Sequence, residues 1–209
     1  MFDFAGIFTT ELAYIPYRLL GMLVVCTVLG AGITLMLRLL GEPGPTYDGR
    51  ATANPFTHLD WGGFLAGMLL RPGWVAPVNL RPAQVKGGAF GILLAVLVPL
   101  AVLMGLAYLL EHLRPLFITL MSNSLQSTKL VIRASFIAEL FICCAVVNLI
   151  PLPPFLMGHL WAAFWPKGWE VYRAKAGWVS LALLVFVLSG VWKPVLDPLV
   201  APLLALIKI

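Results

Sequence analysis

Charged side chains are scarce in these 209 residues. Asp, Glu, Lys and Arg make up 11% of the chain against 61% hydrophobic residues, and the mean hydropathy is +0.96. A soluble domain carries about a quarter charged residues, so this sequence cannot clothe a core in a water-facing surface. It reads as an integral membrane protein. The net charge of +5 does not point to nucleic acid, because the basic residues stand singly between apolar runs rather than in a patch. Cys26, Cys143 and Cys144 all fall within apolar runs. They indicate neither a disulfide framework nor a paired-cysteine metal spacing, and Cys143-Cys144 reads as small, soft packing. Only three histidines occur, His58, His112 and His159, and no two stand three or four residues apart as a helical metal site requires. Residues 1–11 lack a basic stretch ahead of an apolar core, so no removable signal peptide is apparent.

Long apolar runs fill the rest. Four predicted spans, 17–40, 87–110, 130–147 and 177–191, come to roughly twenty helical residues each, the last two shorter, near the number that crosses a hydrocarbon core of about 30 Å. The aromatic residues of 1–16 read as an interfacial segment. Gly21, Gly30 and Gly32 in the first run permit close helix packing. Residues 41–60 read as a polar loop, and 61–70 are apolar but too short to span, hence re-entrant or interfacial. The proline-studded 71–84 reads as extended chain, with polar connections over 111–128 and 166–175. The segment 195–207, interrupted by Pro198 and Pro202, either lies in the interface or completes a span. Arg38, Arg50, Arg71, Arg81, Lys86, Lys167, Arg173 and Lys175 fall on one side of these spans. Arg18, Arg114, Lys129, Arg133, Lys193 and Lys208 fall on the other. Eight against six leans the first side toward the cytoplasm.

The stretch Asn148-Leu149-Ile150-Pro151-Leu152-Pro153-Pro154 forbids the third run from continuing as a helix. Either the helix simply stops at the membrane surface, or broken backbone sits at depth under a cover of protein or a wet cavity. In the second case the Asn148 amide can both donate to and accept from the broken chain. Arg133 and Glu139 lie within the same run. Ionisable groups there are costly and face a partner or water. They are six residues apart and share no helical face well, so they read as separate polar contacts rather than one relay.

Three landmarks occur in order: Gly41-Glu42-Pro43 leading through Gly49-Arg50 to Asn54-Pro55-Phe56-Thr57-His58-Leu59-Asp60; then Gly73-Trp74-Val75-Ala76-Pro77-Val78-Asn79; then Asn148 through Pro151, Pro153 and Pro154 to Gly158. Together they resemble the membrane-embedded zinc metalloproteases of the site-2 protease family, over about residues 29–158. The resemblance implies an all-α polytopic bundle in a single membrane domain, 1–209. It would comprise an interfacial N-terminus (1–16), a protease-like core (17–165) and C-terminal helices (166–209). It also implies where catalysis would sit. The family's His-Glu-x-x-His on the first core helix falls at Leu29, Gly30 and Ile33, and its aspartate ligand at Leu156, or Met157 with one inserted residue. None of these can hold zinc in that role or move a proton. The histidine matching His58 belongs to the loop motif and is no zinc ligand in the family.

The expectation is therefore a non-catalytic relative without cofactor, kept as an accessory, assembly or stabilising subunit of a larger bacterial inner-membrane complex, respiratory or photosynthetic. Its partners would be other membrane subunits, lipid, and a pigment or quinone of that complex, with no nucleic acid. Two alternatives stand beside it. One is an active metalloprotease with unconventional ligands, His159 with Asp60 or Glu139. The other is a small proton- or ion-conducting subunit built on Glu139.

Overall fold

The computed structural model describes residues 14–120 and 125–207, the side chains of 117, 118, 120 and 125–134 excepted. Most of the interfacial segment expected at 1–16, and the Arg133 side chain, thus lie outside the described residues.

Helix α1 (Ile15–Leu39) starts with Pro16 in its first turn and ends before Gly41, whose φ of 94° a side chain would resist. Its buried residues, among them Met22, Cys26, Leu29, Ile33 and Leu37, recur at three- and four-residue steps, one stripe toward the core. The predicted loop 41–60 holds a one-turn helix α2 (Gly44–Tyr47) and a 3-10 turn, Pro55–His58, whose cap Asn54 accepts from the Phe56 amide at 3.1 Å. Helix α3 (Trp61–Leu70) is the short apolar helix expected there. The chain then runs extended through 71–81.

Helix α4 (Gly88–His112) leads directly into α5 (Arg114–Leu120), so the connection read as polar is helical at its start. Helix α6 (Leu125–Asn148) carries the third apolar run, and a 3-10 turn (Leu156–Leu160) follows the proline break. After α7 (Trp161–Phe164), the predicted turn 166–175 is instead helix α8 (Pro166–Ala174). Proline suits its first position. Its buried Gly168, Trp169 and Tyr172 form one face, masked in sequence by the charges between them. Helix α9 (Ala176–Leu188) is 13 residues, about 20 Å, shorter than the span expected at 177–191. Helix α10 (Lys193–Ile207) runs unbroken through both prolines.

The described residues are thus all-α, with one isolated antiparallel bridge between Leu59 and Val75. Among the described residues, two helical stretches, Ile15–Leu39 and Gly88–Leu116, are long and apolar enough to cross a membrane. A third counts if α8 and α9, bent by 78°, make one span. Four were expected.

Helices α1, α4 and α6 pack against one another around the core. Tyr14 stacks on Phe136 at 3.9 Å, and the Cys144 thiol meets the Met22 sulfur at 3.9 Å, so α6 rises parallel to α1 from the same end. From Phe136 to Asn148 is about 18 Å of helix, little more than half a hydrocarbon core. Asn148 is fully buried. The proline break therefore lies beside the middle of α1. Helix α3 runs the opposite way, since Arg18 Nη1 in the first turn of α1 donates to the Leu69 carbonyl at its far end (3.0 Å). Arg71 consequently lies on the Arg18 side. Moving it across makes the eight-to-six charge tally seven on each face, and the lean in orientation disappears.

Close packing of α1 on α4 depends on Gly32, where an added Cβ would stand 2.6 Å from the ring of Pro99. Gly105 of α4 has nothing within 4 Å of such an atom. The same substitution should have opposite signs at the two sites. Gly32→Ala is expected to lose about 1–3 kcal/mol by overpacking, while Gly105→Ala gains roughly 0.5–1 kcal/mol of helix propensity. Melting temperatures in detergent would show it, and equal shifts would contradict this packing.

Candidate functional site

The three landmark stretches, far apart in sequence, meet beside the middle of α1. The loop 54–60 pairs with the extended segment through the Leu59–Val75 bridge and a 2.9 Å bond from the Ala76 amide to the His58 carbonyl. Arg50 Nη1 donates to the Ala76 carbonyl at 3.1 Å. The proline-broken segment is tied in by Asn148. Its Nδ2 donates to the carbonyls of Gly73 and Cys144, each at 2.8 Å, and its Oδ1 accepts from the Leu156 amide at 3.0 Å. Both ends of the amide are thus engaged. Pro151 adds a carbonyl that accepts from the Trp161 indole at 3.0 Å, and the Pro153-Pro154 bond is cis.

His159 completes the joint from the other side. The Val78 amide donates to its Nε2 at 2.9 Å, so that nitrogen carries the lone pair, and Nδ1–H donates to the Leu156 carbonyl at 2.8 Å. The ring is buried and packed against Trp169. Burial also lowers its pKa, in keeping with a neutral imidazole. Neither nitrogen is left for a metal.

Asp60 is similarly committed. Its Oδ1 caps α3 by accepting from the Gly63 amide (2.9 Å), and it accepts from the Trp74 indole (3.1 Å) and the Ser180 hydroxyl of α9. Trp74 is fully buried and meets Phe155 edge-on. Sequence reasoning missed Trp74 and Ser180 as the partners of Asp60, although a serine within the apolar run of α9 was a signal. Glu139 pairs with Arg71, which stands just past α3 with a φ of 81°. At 68 residues' separation no sequence pattern announced that pair. His112, at the end of α4, stacks on Tyr108.

The positions to which the family resemblance assigns a zinc site are filled. Leu29, Ile33 and Leu156 are buried in one apolar cluster, with Met157 at its edge. A Cβ on Gly30 would stand 2.2–2.4 Å from the imidazole of His58, so the ring lies directly against the glycine backbone. The His58 Nε2–H donates to the Thr52 carbonyl at 3.0 Å, leaving Nδ1 buried and unpartnered. Desolvation lowers the His58 pKa. One nitrogen among hydrocarbon is no zinc site, which takes three or four N, O or S ligands. Among the described residues no three His, Cys, Asp or Glu side chains gather as metal ligands. These residues do not fit zinc. What Asn148, His159 and Asp60 do chemically is bond backbone and neighbouring side chains, and the ring nitrogen left without a partner among these residues is His58 Nδ1.

No family model matches the chain, and no curated protein and no solved structure matches it either.

Replacing Asn148 with Leu keeps the volume but orphans the Leu156 amide and the Gly73 carbonyl. Each buried orphan costs about 1–3 kcal/mol, so roughly 2–6 kcal/mol should be lost in a detergent melting experiment. Gly30→Ala should expel the His58 ring and cost a comparable amount, whereas His58→Ala in that background should restore part of it. A Gly30→Ala variant as stable as wild type would mean that His58 does not sit there.

Proposed function

We propose that the chain is a non-catalytic, site-2-protease-like subunit of a bacterial inner membrane. It serves as an accessory, assembly or stabilising component of a larger respiratory or photosynthetic complex. The observation that carries this reading is the seating of His58 on Gly30. The resemblance puts the general-base glutamate at Gly30, and there the space is taken by an imidazole. The meeting of the three landmark stretches at one place supports the family likeness. The packing of Leu29, Ile33 and Leu156 supports the loss of its chemistry.

The rival metalloprotease needs His159, whose ring nitrogens are both occupied. The rival conductor needs Glu139, which Arg71 already neutralises. What remains for a partner is a broad apolar exterior. Trp178 and Val185 of α9 are 76% and 62% exposed, and Leu206 of α10 is 80% exposed. Such surface is covered by lipid or by other membrane helices, the occupants expected of an accessory subunit.

The chain purified from its native membrane in mild detergent should carry far less than one zinc per molecule and cleave no membrane substrate. It should also migrate as part of an assembly larger than itself. A monodisperse single chain holding stoichiometric zinc and cutting a transmembrane peptide would overturn the proposal.

A further inference from the structure

Outside the filled site, a cavity of about 280 Å³ lies where the end of α3, the middle of α6 and the start of α10 meet. Arg71, Glu139, Lys193 and Asp197 line it, with Val200 and Leu204 among its apolar residues. Its depth follows from two contacts. Arg18 in the first turn of α1 bonds the carbonyl of Leu69, another lining residue, and Tyr14 stacks on Phe136 one turn before Glu139. The cavity therefore lies level with the start of a membrane-crossing helix, at the depth of lipid headgroups.

The lining carries two cations and two anions, a formal balance of zero. A singly charged ligand would meet as much repulsion as attraction, whereas a zwitterion can place each charge against its opposite. Drug-sized ligands occupy roughly 300–1,000 Å³, so this volume suits a headgroup better than a pigment or quinone ring with its tail. The residues on α10 are oddly placed for helix stability alone. A cation at a helix N-terminus opposes the dipole, and Lys before an acid at i+4 is the weaker order. No ion pair joins Lys193 to Asp197 among the described residues.

We propose that this cavity holds the headgroup of a phospholipid bearing a primary ammonium. Its phosphate lies on Lys193 and its ammonium donates to Asp197, beside the Arg71–Glu139 ion pair. The acyl chains descend along α10 past Val200 and Leu204. This goes beyond the accessory-subunit reading and does not depend on it, since the cavity is distinct from the filled protease position.

The test uses the full chain, delipidated in mild detergent and titrated by native mass spectrometry. The probes are phosphatidylethanolamine, phosphatidylcholine and phosphatidylglycerol of matched chains, and soluble glycerophosphoethanolamine. A quaternary ammonium has no N–H to donate, so phosphatidylethanolamine should bind about tenfold more tightly than phosphatidylcholine. The double variant Lys193→Gln, Asp197→Asn should bind it about tenfold more weakly than wild type. Its melting temperature should be unchanged, because neither side chain bonds elsewhere among the described residues. Equal binding of all three lipids, preference for phosphatidylglycerol, or an indifferent double variant would overturn the proposal. Glycerophosphoethanolamine binding as tightly as the lipid would also overturn it, in favour of a soluble ligand.

Discussion

Every backbone amide and carbonyl that lies within the thickness of a bilayer must find a partner in the protein, because the lipid offers none. In this chain the helices meet that demand by themselves, but three non-helical stretches enter at the same depth. Buried side chains bond their exposed backbone groups. Asn148 holds the end of α6, the Gly73 carbonyl and the Leu156 amide together. His159 does the same for Val78 and Leu156, and Asp60 for the start of α3. Arg18 takes a carbonyl at the other end of α3. The position of the helices follows from these joints, since each one ties a helix end to chain from another part of the sequence.

The same demand explains why so few polar groups at this depth are free to do anything else. An amide with both ends bonded, an imidazole with both nitrogens bonded and a carboxylate accepting three donors are all consumed by structure. Around them Leu29, Ile33 and Leu156 are aliphatic, and Gly30 is covered by His58. Toward the start of α1 the Arg71–Glu139 ion pair, with Lys193 and Asp197, borders a cavity. The molecule thus separates a closed, bonded middle from a polar rim.

The secondary structure was legible where apolar periodicity or proline chemistry was strong. α1, α3, α4 and the end of α6 stand near where the runs of residues place them. It was misread where charge hid a buried face, as in α8, whose Trp169 and Tyr172 point inward between Lys167, Glu170 and Arg173. The sequence left open whether 195–207 lies in the interface or completes a span, and α10 continues through Pro198 and Pro202. Proline removes a single donor and clashes with one turn. An exposed helix can bend around that loss, so the residue type alone does not tell a kink from an end.

Composition determined that the chain carries helices apolar enough to cross a membrane, and the residues at 29, 30, 33 and 156 determined that they cannot grip zinc, because both follow from what the side chains are made of. Which groups meet was decided only in three dimensions. That Arg71 finds Glu139, that Ser180 and Trp74 find Asp60, and that His58 fills the space over Gly30 all depend on contacts between residues 14 to 120 positions apart. Contacts at such separations leave no periodic trace in one sequence. They arise because burying backbone polar groups in a dry interior admits few arrangements of the chain.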